Sequence, residues 1–173
     1  AQRGYIMTPK IPSGDVSRYF KRLVTKLRKL QNSTDRIRIL YRTTESNTLP
    51  AYETITWVTS TTFTGTNDNV AVNDFVEILA GHNAGALAKI TAITNAATNT
   101  FTIDLTLNSS TSTARARYLN FTDIGTISSQ TIQEHFQSIN VRSNWIQFLI
   151  ELRGTTTSPE LEELILDYEN RVR

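Results

Sequence analysis

The segment Asp74-Phe-Val-Glu-Ile-Leu-Ala-Gly81-His-Asn-Ala-Gly85-Ala-Leu-Ala-Lys89-Ile-Thr-Ala-Ile93 constrains the fold more than any other stretch of the chain. Two short apolar runs flank a turn paced by Gly81 and Gly85, which reads as strand, turn, strand. Thr100-Phe-Thr-Ile-Asp-Leu-Thr-Leu107 adds a third strand. Similar patterning resumes on both sides, so the unit is expected to be a small barrel set within a larger β domain. Composition points the same way. Thr, Ser and Asn make up roughly 30% of the chain, against a background in which none of them dominates. β-branched Thr suits half-exposed strands, and Ser and Asn suit turns.

Arg36-Ile-Arg-Ile-Leu-Tyr-Arg42 alternates cleanly, as a strand does. Residues 16–30 fit two periods. Phe20, Leu23, Leu27 and Leu30 match a helix, whereas Leu23, Thr25 and Leu27 match a strand with basic residues facing out. The turn signal Asn32-Ser33 and the following alternation favour a hairpin-like pair. Gln130–Phe136 reads as a helical turn or a loop. Asn144–Arg153 is the clearest strand, with Ile146, Phe148, Ile150 and Leu152 on one face. The final segment is ambiguous: Ser158-Pro159-Glu160 resembles a helix start, while Leu164, Leu166 and Tyr168 alternate as in a strand.

Chemistry-bearing motifs are scarce. The chain has no cysteine, which excludes disulfides, thiolate zinc sites and cysteine catalysis. His82 and His135 lack partners at metal spacing and are expected on the surface. Asp68, Asn69, Asn73 and Asp74 could offer oxygens to Ca²⁺, but they lack a loop signature and read as turn residues. Glu160, Glu162, Glu163, Asp167 and Glu169 cluster near the C-terminus, and strand geometry would divide them between faces. No nucleophile elbow, phosphate loop or dinucleotide fingerprint occurs. No catalytic, metal or cofactor residue is therefore expected, and no enzyme activity.

Binding residues are more plausible. The basic run Arg18 to Arg28, with Tyr19, Arg22 and Lys26 in it, reads first as a solvated strand face; it could also meet a phosphate backbone or an anionic glycan, or pair with the acidic C-terminal segment of a neighbour. Trp57 sits among threonines and could stack on a sugar, whereas Trp145 opens the most apolar strand and is expected in the core. Asn32, Asn108 and Asn120 head sequons, which matter only in a secretory host. A formal net charge of +2 is too mild to argue for nucleic acid. No run of 18 apolar residues exists to cross a membrane, and the first residues lack the apolar core of a signal peptide. Because the chain begins at Ala1 and not at Met, it is read as a fragment or a processed product.

Three pieces together resemble a jelly-roll module common in bacteriophage tail and other virion proteins. They are Gly4-Tyr5-Ile-Met-Thr8-Pro-Lys-Ile11 with Tyr19-Phe-Lys-Arg-Leu23; Ile37-Arg-Ile-Leu-Tyr41-Arg42-Thr43; and Trp145–Arg153 with Ser158-Pro159-Glu-Leu161 and Leu164–Tyr168. In such modules the segment after the proline is the closing strand, so the resemblance implies a strand over the helix signal. Phe121-Thr-Asp-Ile-Gly125-Thr126 is similar to the strand that normally follows Tyr41-Arg42-Thr43, displaced by an insertion resembling a KOW- or Tudor-like barrel. The resemblance implies an all-β fold: a jelly-roll β-sandwich from residues 1–49 and 118–173, with an inserted small β-barrel at 50–117. It implies a non-enzymatic structural or attachment role in a virion, with other virion proteins and further copies of the chain as partners. The alternative is a carbohydrate-binding module of a secreted or surface protein, with a glycan as partner.

Overall fold

A computed structural model of the chain describes residues 2–12, 17–28, 30–43, 52–94, 98–108, 111–128, 130–155 and 159–169. Every regular element among them is a β-strand, and all pairings are antiparallel. The chain divides into two compact units, Ala1–Ser46 with Phe121–Arg173, and Asn47–Asn120.

The flanking unit is sandwich-like. One sheet contains β1 (Gln2–Met7), β2 (Ile11–Pro12), β4 (Arg36–Thr43), β11 (Thr122–Ile127) and β13 (Trp145–Gly154), in the order β1-β13-β4-β11 with β2 also on β13. The other contains β3 (Arg18–Leu27), β12 (Glu134–Ser143) and β14 (Leu161–Glu169), in the order β12-β3-β14. Their inner faces share one core. Phe20, Leu23 and Leu27 from β3 meet Ile37 and Ile39 from β4, and Ile146, Phe148 and Ile150 from β13. The period-2 pattern of β13 thus places the residues that share one face in the sequence in the core.

Two local expectations change. β3 and β4 do not form a hairpin, because they belong to different sheets. The buried Asp35 explains how the connection turns: its carboxylate accepts the Asn32 N–H at 3.0 Å and the Thr155 N–H at 3.4 Å. Those bonds fold 32–35 into a turn tied to the end of β13, and the chain leaves for the opposite sheet. Residues from Glu134 onward form a strand, not a helical turn, since β12 pairs with β3 along its length. The C-terminal segment is the strand β14, despite its helix-start signals.

The other unit is a closed barrel of β5 (Glu53–Trp57), β6 (Thr62–Gly65), β7 (Phe75–Gly81), β8 (Leu87–Thr94), β9 (Asn99–Ile103) and β10 (Thr113–Leu119), in the order β10-β5-β6-β9-β8-β7. Closure leaves no sheet edge within the barrel. Threonine explains its exterior. In β5 and β9 Thr54, Thr56, Thr100 and Thr102 alternate with the buried Ile55, Trp57, Phe101 and Ile103. The aromatic centre is tight: Phe63 stacks on Phe101 at 5.2 Å, and Trp57 meets Phe63 edge-on at 5.5 Å. The Gly81 and Gly85 turn takes left-handed backbone, at φ +86° and +89°, with Asn83 at +63°. Glycine adopts this region without a Cβ penalty. β10 runs to Leu119, past the expected limit at 117, and the other expected limit near residue 50 lies outside the described residues.

Candidate functional site

β3 is the middle strand of its sheet, and its position arranges the predicted basic residues. Leu23, Thr25 and Leu27 turn inward, where the Thr25 hydroxyl donates to Gln137 Oε1 at 3.1 Å. The register therefore puts Arg22, Val24 and Lys26 on the outer face. Each cation meets a carboxylate of β14 or of the residues just before it. Arg22 Nε lies 2.6 Å from Asp167, Lys26 Nζ 2.9 Å from Glu163, and Arg28 Nη1 2.8 Å from Glu160; Lys21 pairs with Glu169. The hydrogen bond and charge of Glu163 hold the Lys26 ammonium above its ordinary pKa. The acidic segment that answers the basic strand is thus the chain's own. Tyr19, at the far end of the strand, donates its hydroxyl to Asn140 Oδ1 at 3.3 Å.

Between these charge rows runs an apolar one. Phe136 of β12 and Ile165 of β14 both stand opposite Val24 of β3. On one side are Glu134, Lys26 and Glu163; on the other are Ser138, Arg22 and Asp167. Val24 is buried beneath its neighbours, but Phe136 is 62% exposed and Ile165 is 37% exposed. The Arg22 guanidinium lies 5.5 Å from the Phe136 ring centre. An exposed phenylalanine at the head of an apolar row, inside a frame of ion pairs, suits a protein surface better than a small charged ligand.

A cleft of about 610 Å³ opens beside the end of this sheet, lined by Arg28, Leu30, Gln31, Gln130 and Thr131. Its size falls within the usual range for ligand sites. Arg28 is already engaged by Glu160, which weakens its attraction for an anion. The lining also presents two side-chain amides and the Thr131 hydroxyl, groups of the chemical type that meets hydroxyl-rich ligands.

Trp57 is not part of any surface. It is 1% exposed and lies in the barrel core, so neither ring face is open to a sugar. The alternation of β5 decides this, since Trp57 shares the inward phase of Ile55. Trp145 is half-buried instead of fully buried. Lys10 Nζ lies 4.3 Å from its ring centre and the Arg42 guanidinium 5.6 Å. Arg42 itself is buried, donating to Gln147 Oε1 at 2.7 Å, and Gln147 in turn donates to the Thr8 carbonyl at 2.6 Å.

The remaining polar candidates serve turns. His82 Nε2 donates to the Asn108 carbonyl at 2.8 Å, and His135 Nε2 donates to that of Ile132 at 2.9 Å. Asp74 Oδ2 accepts the Ala71 N–H at 2.8 Å, and Asp68 Oδ1 accepts from Asn99 at 2.7 Å. Burial pushes the Asp74 carboxyl above its ordinary pKa. Among the described residues no three His, Asp or Glu side chains are grouped to hold a metal. Phe136 and Gln130 do not stand out in the sequence, because the pattern over 130–136 fits a helical turn or a loop. Only a strand register assigns Phe136 to a face. No protein-family model, curated protein or solved structure matches this chain.

Proposed function

We propose that this chain is a non-enzymatic structural component of a virion, in a tail, baseplate or fibre, that works by protein–protein assembly. In this reading the sandwich-like unit is a jelly-roll and the barrel is its insert. The observation that carries it is the apolar row on the β12-β3-β14 face, with Phe136 at 62% exposure in a frame of satisfied ion pairs. Burying that row against a partner removes apolar area without breaking the charge pairs beside it. The resemblance of three sequence pieces to virion jelly-rolls supports the same class. Cross-linking mass spectrometry on purified particles tests it, with Lys26 as the amine beside the row. Cross-links from Lys26 to virion proteins are expected; a chain that stays monomeric and never associates with particles counts against the reading.

Glycan binding is the second reading, favoured by the amide-lined cleft at Gln31 and Gln130. A glycan array decides it. Saturable binding that is lost on Gln130→Ala, with the fold intact, would move this reading ahead of assembly.

A further inference from the structure

At one end of the barrel β5, β7 and β9 finish and β6, β8 and β10 begin. The chain leaving β9 has no strand structure from Asp104 to Asn108. Its root is fixed to β8: the Asp104 N–H donates to the Lys89 carbonyl at 3.0 Å, and Asp104 Oδ1 accepts the Lys89 N–H at 2.9 Å. Beyond Asp104 the segment bonds to the loops on both sides of β9. The Leu107 N–H donates to the Ser60 carbonyl of the β5–β6 loop at 2.8 Å. Asn108 reaches the β7–β8 turn, where the Asn83 side chain takes the part of a strand partner. Its Oδ1 accepts the Asn108 N–H at 3.2 Å and its Nδ2 donates to the Asn108 carbonyl at 3.1 Å. His82 Nε2 donates to the same carbonyl at 2.8 Å. The segment therefore bridges this end of the barrel, with Leu105 and Leu107 partly buried against the barrel core.

We propose that Leu105–Asn108 is a strap that opens and closes over this end of the barrel while the strands stay paired, with the Asn83 side chain as its clasp. The inference stands apart from the virion reading. The bonds between strap and turn are made by side chains at exposed positions. Water competes for each of those groups, so each bond adds little net stability. Leu105 and Leu107 are only partly buried, so lifting them exposes less apolar area than withdrawing a core residue would. Segments held by exposed bonds and partial burial are those that open without global unfolding. The clasp itself is set by the turn: Asn83 has φ +63°, a left-handed conformation that asparagine tolerates better than most residues. When the strap lifts, the part of the core covered by Leu105 and Leu107 meets solvent, and the barrel gains an apolar mouth.

The test is residue-resolved amide hydrogen exchange of the full chain across low denaturant concentrations. Relative to their intrinsic rates, the Leu107 and Asn108 amides should exchange at least tenfold faster than the slowest amides of β8 and β9, and with little dependence on denaturant. Asn83→Gly removes the clasp and leaves the backbone unstrained, because glycine adopts φ +63° freely. It should speed Leu107 exchange at least threefold with unchanged circular dichroism. Asn83→Asp keeps the acceptor but sets a carboxylate oxygen against the Asn108 carbonyl, and should speed it at least as much. A Leu107 amide that shares the rate and the denaturant slope of the slowest barrel amides overturns the proposal, because the strap then opens only when the strands separate. Leu107 exchange that is the same in wild type and both folded variants overturns it as well, since Asn83 is then no clasp. The wild-type slope decides the strap even for a variant that does not fold.

Discussion

Trp57→Ala is expected to unfold or severely weaken the barrel. The side chain is 1% exposed and meets Phe63 edge-on at 5.5 Å. An indole of this size removes roughly 200 Å² from water, worth about 5 kcal/mol at about 25 cal/mol per Å² as an upper figure. Measured truncations of buried aromatics cost about 3–5 kcal/mol, which includes the cavity left behind. Trp57→Phe should cost much less, about 1–2 kcal/mol. It keeps an aromatic ring against Phe63 and removes an indole Nε1 that is buried with no hydrogen-bond partner among the described residues. Denaturant unfolding gives the stability loss, and hydrogen exchange in peptides from 53–119 assigns it to the barrel. A loss under about 1 kcal/mol for Trp57→Ala, or equal losses for the two variants, would refute the placement of Trp57 in the core.

Gly81→Ala should cost about 1–3 kcal/mol, since φ is +86° and the new Cβ would lie 2.8 Å from the Thr113 carbonyl oxygen; Gly85→Ala, at φ +89° with nothing within 4 Å of the new Cβ among the described residues, should cost less in the same melts. Asp167→Asn removes the partner of Arg22, but both side chains are about half exposed, so the loss should stay within about 0.2–1 kcal/mol and vanish in 1 M salt. Asp74 works in the opposite sense from a salt-bridged carboxylate. Its pKa is raised in the folded state, chiefly by burial, so its favourable contribution is complete below the unfolded value and is lost as pH rises through the folded one. Asp74→Asn keeps an acceptor for the Ala71 N–H, and should flatten that acid-range dependence and leave the protein at least as stable at neutral pH in pH-resolved denaturation.

Alternation made the strands legible. Ile37, Ile39, Ile146, Phe148 and Ile150 fall on the core side that period 2 assigns them. Pairing partners were less legible, because they are long-range. β3 lies beside β12 and β14, with Thr25 bonded to Gln137 across 112 residues, and nothing local distinguishes that from a hairpin with β4. The Asn32-Ser33 turn signal was real, but it bends the chain between sheets. Neighbouring threonines leave the side of Trp57 open in the sequence, and the phase set by Ile55 decides it by burying the ring. Of the candidate site, the cations of β3 were visible as a run, and the carboxylates that match them were visible as a cluster. That the two groups answer one another within one chain required the β14 register. Phe136 needed the β12 register in the same way.

The central claim is that the outer face of the β12-β3-β14 sheet is an assembly surface. Its most direct test is competition between wild-type chain and Phe136→Asp for incorporation into particles, scored by quantitative mass spectrometry. Phe136 is 62% exposed and its ring contact with Arg22 is at the surface, so the substitution should cost the isolated chain under about 1 kcal/mol. The account predicts that incorporation of the variant falls at least tenfold while its unfolding midpoint barely moves. Equal incorporation of the two chains would contradict it.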